Sequence, residues 1–334
     1  MMMKIPPLLM ELTRGISVSG NEKEVAQLLI DQFQGMGKVK QSRWGDIYCS
    51  LSEKDDLPNV VVTAHMDSPG FIVKEILPGG ELRLIHLGGI DPQKMDLREV
   101  ALLTSKGEKV RGLLSLKGEP KGLHTEYLCF IGASSQKEVE KKGIQIGDRA
   151  GFANTPFQMG EYVIGPHLDN RIGCYLMVEI GKKLKNKKLP FNLYLCGTTC
   201  EEMGGRGARI LANLLKPAVT ICLDVTYDEP PVAMGKGPVI TLSDRSVLLS
   251  NAIRDHLIKI AKKAKTPLQM EVYNYAGTDA EGFKESHRGS ITLPVLIATR
   301  NNHSPHEICH LADLDYTIKY ISHLLKNLDY LLTL

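Results

Sequence analysis

VVVTAHMDSPGFIV, residues 60–73, runs five apolar or β-branched residues, Val60 to Ala64, straight into His65 and Asp67 and then turns through Pro69-Gly70. A short continuous apolar run bounded by turn residues reads as a strand buried on both faces, of the kind found in a sheet covered by helices. Functional groups in open α/β sheets gather just beyond strand carboxyl ends, where loops converge on a crevice. The stretch therefore reads as a rigid stem that delivers an imidazole and a carboxylate to such a crevice, with Pro69-Gly70 redirecting the chain.

Outward from this stem the pattern changes character twice. Before it, NEKEVAQLLIDQF (21–33) places Val25, Leu28, Leu29 and Phe33 on one helical face, with Asn21 available as N-cap. From about Phe71 to Val163 the helical period nearly vanishes. FIVKEI, LRLIHL, VALLTS, VRGLLSL and YLCFIGA are strand-like runs separated by turns such as PGG and KGE, and only SSQKEVEKKG looks helical. After Gly165 the two kinds of element alternate: helix 170–185, strand 191–199, helix 204–215, strand 219–225, helix 246–264, strands 269–274 and 293–299, and a last helix from about Asp313. This predicts an α/β fold, a three-layer α/β/α domain around a central mixed sheet formed by 1–70 and 164–334, interrupted by a β-rich, barrel-like domain at 71–163. Apolar strands of the insert such as LRLIHLGGI have edges that need cover, and pairing with a second subunit is one way to provide it.

The composition sets bounds. A chain of 334 residues, 43% hydrophobic, suits two domains or one large α/β unit. Lys plus Arg exceed Asp plus Glu by 41 − 38 = 3, so no strong charge points to nucleic acid or an anionic membrane. No apolar run approaches the roughly 18 residues of a membrane span, and the opening MMMKIPPLLMELTRG is broken by two prolines. A soluble cytoplasmic protein with no nucleic-acid or membrane partner is expected. The seven cysteines are odd in number and lie mostly in strand-like runs, as buried reduced thiols do. Cys196 and Cys200 have no second pair at zinc-finger spacing and read the same way.

Strand ends are the places to look for chemistry. His65 and Asp67 follow the first stem; Asp169 lies in PHLDNR after the insert; Glu201-Glu202 follow strand 191–199; Asp224 ends the run 219–223; His303 lies in RNNHS after 293–298. Each has an ordinary reading: His-x-Asp as a buried hydrogen-bonded pair, Glu-Glu as a solvated surface, Asp224 as a helix cap, His303 as the start of a turn. Their joint occurrence favours a site, because several carboxylates converging without a cation repel one another. Two imidazoles and three carboxylates suit two divalent metals that share one carboxylate. If Glu202 is a ligand, Glu201 beside it is free to act as general base. Asp67 is placed to accept the other ring N–H of His65.

The segments SVSGNEKEV, AHMDSPGFIV, GPHLDNRIGCY, TTCEEMGGRGA, CLDVTYDEPP, GKGPVI, GTDAEGF and HSPHEI occur in this order. By that series, which spans nearly the whole chain, the sequence resembles the M42 family of dinuclear metallo-aminopeptidases, which includes glutamyl aminopeptidases and TET-type peptidases. The resemblance implies one metal on His65 and Asp224 and the other on Glu202 and His303, with Asp169 bridging, Glu201 as general base and Asp67 as the carboxylate behind His65. It also implies two divalent ions per chain, zinc or cobalt with manganese as the alternative. Peptide substrates cut at the N-terminal residue follow, as does a homo-oligomer, dimeric through the insert and in some members a tetrahedral dodecamer.

Other functions stay open. The same dinuclear site suits a deacylase or deblocking peptidase acting on small N-acyl substrates. A non-catalytic scaffold is the reading that a missing base or ligand would favour, and none is missing. Some relatives are labelled cellulases or endoglucanases, but a glycosidase needs an acid/base carboxylate pair rather than a ring of metal ligands. The chain departs from the family's commonest pattern at Ser68-Pro69, at Asn170 where a second Asp is common, and at Pro166-His167, where His167 adds an imidazole beside the ligand set.

Overall fold

The computed structural model describes residues 3–122 and 125–334; Met1 and Met2, at the head of the opening segment, lie outside them. Helices α1 (Pro7–Arg14) and α2 (Lys23–Phe33) precede strands β1 (Lys38–Gln41), β2 (Ile47–Ser50) and β3 (Asn59–His65), the stem. Next come β4 (Gly70–Ile76), β5 (Leu82–Leu87), β6 (Glu99–Leu103), β7 (Lys109–Leu116), β8 (Glu126–Phe130), α3 (Gln136–Lys141) and β9 (Arg149–Phe152). The chain continues through β10 (Phe157–Met159), β11 (Tyr162–Gly165), α4 (Leu168–Leu184), β12 (Asn192–Thr198), α5 (Arg206–Leu215) and β13 (Val219–Tyr227). It ends with β14 (Val239–Ser243), α6 (Asn251–Ala264), β15 (Gln269–Val272), α7 (Ala280–Lys284), β16 (Ile291–Arg300), β17 (Glu307–His310), α8 (Leu311–Leu324) and the short α9 (Asp329–Leu332).

The large sheet is mixed, in the order β1-β2-β12-β3-β13-β16-β17-β11-β10, with β14 also beside β16 and β15 beyond β14. Its centre, β12-β3-β13-β16, is parallel, with Thr198 opposite His65 and Val219 opposite Val60. Alternation along β3 explains why both faces are covered. Val60, Val62 and Ala64 pack into the larger core with residues of α1, α2, α4, α6 and α8, while Val61 packs on the other face with residues of α5 and α7. The four parallel strands thus end together on one rim, as the stem predicts.

The insert is a closed barrel of order β4-β5-β8-β7-β6-β9, completed where Phe71 of β4 lies opposite Ala150 of β9. Its core gathers Phe71 against Tyr127 and Phe152 at ring separations of 5.1 and 6.2 Å, with Val73, Leu84, Leu102 and Leu114 around them. Gly70, where the stem's turn enters the barrel, has no room for a side chain, since a Cβ would stand 2.5 Å from Val18 Cγ2 and 2.7 Å from the Ala150 carbonyl.

Two expectations change here. The insert closes at Phe152 rather than at 163, because β10 and β11 pair with each other and β11 pairs with β17 of the large sheet. And LRLIHL is not an open edge: as β5 it is paired on both sides, to β4 and β8, so barrel closure supplies the cover that a second subunit was expected to give. Smaller differences follow local chemistry. Glu22 rather than Asn21 occupies the N-cap of α2, and α6 begins at Asn251 with the Ser250 side chain accepting from the Ile253 N–H, so residues 246–250 lie outside it.

Candidate metal centre

The rim of the four parallel strands brings all the sequence-predicted residues together. His65 ends β3, Asp224 lies on β13, Glu201 and Glu202 follow β12, His303 follows β16, and Asp169 stands at the non-helical start of α4. His65 Nε2 lies 3.2 Å from Asp169 Oδ1 and 3.5 Å from Asp224 Oδ1. His303 Nε2 lies 3.1 Å from Asp169 Oδ2 and 3.3 Å from Glu202 Oε1. Among the described residues two groups of candidate ligands are therefore His65–Asp169–Asp224 and Asp169–Glu202–His303, and they share Asp169; a third combines His65 with Glu201 and Glu202.

The donor set fits cations, and the hydrogen-bond inventory shows why. Both rings have their Nδ1 turned to a backbone carbonyl, His65 to Asp67 at 3.1 Å and His303 to Gly89 at 2.5 Å. A neutral imidazole that donates from Nδ1 carries a lone pair at Nε2. Each Nε2 faces two carboxylate oxygens, and Asp169 Oδ1 is buried without a hydrogen-bond partner. Lone pairs opposed to anionic oxygens require a proton or a metal ion between them. The titration behaviour says the same. Burial pushes the His65 pKa down, but Asp224 and Asp169 outweigh it and hold the ring well above its ordinary value. His303 is likewise lifted well above its usual range, against burial, by Glu202 and Asp169.

The carboxylates are differentiated. Asp169 is held below the usual range because His303 and His65 outweigh its burial. Burial raises Asp224 to about 6, with His65 opposing and Asp169 reinforcing. Glu201 lies well above the ordinary value through burial, with Asp224 and Glu202 adding to the shift.

The neighbouring shell is built from residues that sequence reasoning saw only in part. Asp67 reaches His65 mainly through its backbone carbonyl, its carboxylate Oδ1 standing at 3.5 Å from the ring nitrogen. Its carboxylate instead accepts from Ser19 Oγ at 2.6 Å and from the N–H groups of Glu201 and Glu202 at 3.0 and 3.2 Å. Arg171, fully buried, donates to the same Asp67 carbonyl at 3.0 Å and to the Ser17 carbonyl at 3.3 Å. Glu307, within HSPHEI, accepts from the Asp169 N–H at 2.8 Å with one oxygen and from the His303 N–H at 2.7 Å with the other. Asp279, in GTDAEGF, is buried beside β12 with one oxygen on the Thr198 hydroxyl and the other unpartnered, and burial raises its pKa to about 7. Asp67 apart, these residues were legible only as members of motifs; nothing in spacing marks a carboxylate whose partners are backbone N–H groups.

The departures from the family pattern also find partners. Ser68 Oγ donates to the Asp169 carbonyl at 3.1 Å. Asn170 donates to the Leu223 carbonyl at 2.7 Å and accepts from the Gly173 N–H at 2.9 Å, a pair of roles an ionised Asp lacks the donor to fill. His167 stacks on Phe152 with Nε2 on its carbonyl at 3.2 Å, and burial, with the Arg171 charge, pushes its pKa down to about 3. It lies outside the three candidate ligand groups. All seven cysteines are buried and free.

A layered sheet with a barrel inserted between its histidine stem and its central aspartate thus carries, on one rim, the donors of a candidate metal centre. The family described as M42 glutamyl aminopeptidase matches residues 45–320, and the chain belongs to it. It is 31% identical to the lysyl aminopeptidase of Pyrococcus furiosus over 96% of each chain. Its structure is similar to that of a TET aminopeptidase from a marine sediment archaeon of the Thaumarchaeota, with TM-score 0.91, 28% identity and 98% of each chain covered. It is also similar to a Pyrococcus horikoshii TET1 peptidase that assembles into a tetrahedron or a large octahedral shell, with TM-score 0.86, 28% identity, and 96% of this chain and 98% of that one covered. Among the described residues no helix is long and apolar enough to cross a membrane.

Proposed function

We propose that the protein is a dinuclear metal-dependent aminopeptidase. The observation that carries this is the shared Asp169 carboxylate, with an imidazole Nε2 beside each of its oxygens at 3.2 and 3.1 Å. In this reading His65 and Asp224 hold one divalent ion, Glu202 and His303 the other, and Asp169 both. Asp169, Asp224, Glu201 and Glu202 carry four negative charges, which two divalent ions balance; Arg171 offsets Asp67. Zinc or cobalt suits the mixed imidazole and carboxylate set, with manganese as the alternative.

When bound, the ions acidify water and polarise the scissile carbonyl. The chain's own groups do the rest. Glu201 accepts the proton of the attacking water and returns it to the departing amine. Asp67 holds the backbone of the Glu201-Glu202 turn and, through its carbonyl, the ring of His65. Burial raises the basicity of Glu201 above that of an ordinary carboxylate.

Residues Gly70–Phe152 form the inserted unit, and the rest of the chain the catalytic domain. Assembly into at least a dimer follows the similar TET peptidases. Leu113 and Phe130, opposite each other on β7 and β8, are 44% and 55% exposed and offer an apolar patch on the barrel for it. The test is a panel of aminoacyl chromogenic substrates and their N-acyl counterparts, assayed after chelation and after adding zinc, cobalt or manganese. Cleavage of free-amine substrates alone is expected; preferred cleavage of the N-acyl forms would favour the deacylase reading.

A further inference from the structure

The inserted barrel reaches the candidate metal centre. Beyond β5 the chain turns at Gly88-Gly89, and this turn lies against two candidate ligands. A Cβ at Gly88 would stand 3.2 Å from Glu202 Oε2, and one at Gly89 would stand 3.2 Å from His303 Nδ1. The Gly89 carbonyl accepts from that Nδ1 at 2.5 Å, which leaves the Nε2 lone pair directed at Asp169 and Glu202. The turn is fixed from the barrel side. Gly88 has φ +80°, a conformation that favours glycine; its carbonyl accepts from the Ile90 N–H at 3.1 Å and lies 3.1 Å from Nδ1 of His86, whose Nε2 lies 3.2 Å from the Gly122 carbonyl. His65 differs, because its Nδ1 acceptor is Asp67, at the turn that ends β3.

We infer that the barrel sets the tautomer and position of His303 through the Gly88-Gly89 turn, so that one of the two metals depends on a domain that contributes no ligand. The inference rests on the dinuclear reading above. Partners that orient a ligating histidine are typically worth about 10- to 100-fold in metal affinity. Disturbing this turn therefore weakens the ion on Glu202 and His303 and spares the ion on His65 and Asp224.

The test is cobalt titration of the full chain against a competing chelator, followed by the absorption of the bound ion. Gly89→Ala drives a methyl against the His303 ring, and His86→Ala removes the ring that bridges the Gly88 and Gly122 carbonyls. His86→Asn returns a donor to the Gly88 carbonyl, since the Asn amide nitrogen stands close to the position of Nδ1. Gly79→Ala, where a Cβ meets no atom within 4 Å, is the control. The expected result is two ions on the native chain and on Gly79→Ala, and one ion weakened about tenfold or more in Gly89→Ala and His86→Ala. His86→Asn should recover it. If the native chain binds two ions and both disruptive variants bind both as tightly, or lose both equally, the inference is overturned. A native chain that binds none overturns the dinuclear reading itself. Melting of the chelated proteins checks folding, and if Gly89→Ala does not fold, the His86 variants decide.

Discussion

The Asp67 carboxylate accepts the backbone N–H of Glu201 at 3.0 Å, so the residue behind the first histidine also fixes the turn that carries the proposed base. The same carboxylate holds Glu202 and Ser19 at 3.2 and 2.6 Å. Asp67→Asn keeps one acceptor and turns an amide against a neighbouring N–H. Metal affinity should fall by about 10- to 100-fold, as for other groups that orient ligands. Calorimetric titration of the chelated variant checks this, and native-like affinity would remove Asp67 from the shell.

Glu201→Gln keeps the shape of the side chain but takes up no proton. Turnover should fall by on the order of 10² to 10⁴ while metal content stays native. A variant with normal turnover and full metal content would place the base elsewhere.

Glu307 makes its two hydrogen bonds to backbone N–H groups of Asp169 and His303. Glu307→Ala leaves both without an acceptor, which costs roughly 1–3 kcal/mol for the buried Asp169 N–H and less for the part-buried N–H of His303. The chelated variant should melt well below the chelated native chain, and metal should recover only part of the difference. An unchanged melting temperature would show that water replaces the carboxylate without cost.

The pH dependence has a definite sign. Burial raises Glu307 to about 8, with Asp169 adding to it, and raises Asp279 to about 7. Glu22 rises to about 7 through burial and the Asp67 charge. A carboxyl whose folded pKa is raised takes up a proton on folding, so stability is greatest below its unfolded value and falls as pH rises towards the folded one. His65 and His303, also raised, contribute stability below about 6.5 that is lost as pH climbs through their folded values. The chelated protein should therefore lose stability between about pH 5 and 8. Metal binding displaces the protons of its ligands His65 and His303 and tightens over the same range. The melting temperatures of loaded and chelated protein should diverge from pH 6 to pH 8; convergence would contradict the assignment.

Much of this architecture was legible in the sequence because it rests on local signals. Val60–Ala64, short, rich in β-branched residues and bounded by turn residues, reads as a buried strand, and residues beyond strand ends lie on one rim once the strands are parallel. Pairing between distant segments was not legible. FQM and YVIG look like any other short strands, and only their non-local contacts show that they belong to the large sheet rather than the barrel. Residues 246–250 carry helical spacing, yet Val247 turns into the core beneath β12 and β13 and the helix waits for Ser250. Glu307 and Gly89 escaped for a related reason: each acts on His303 through one backbone group, its own or its partner's, and the spacing of side chains carries no trace of that.

The most direct measurement is the metal content of saturated protein, native and Asp169→Ala, determined beside aminopeptidase activity before and after chelation. The account predicts about two divalent ions per native chain, activity lost on chelation and restored by metal, and most of the metal gone from Asp169→Ala. Native protein that binds no ion and cleaves aminoacyl substrates undiminished by chelator would contradict it.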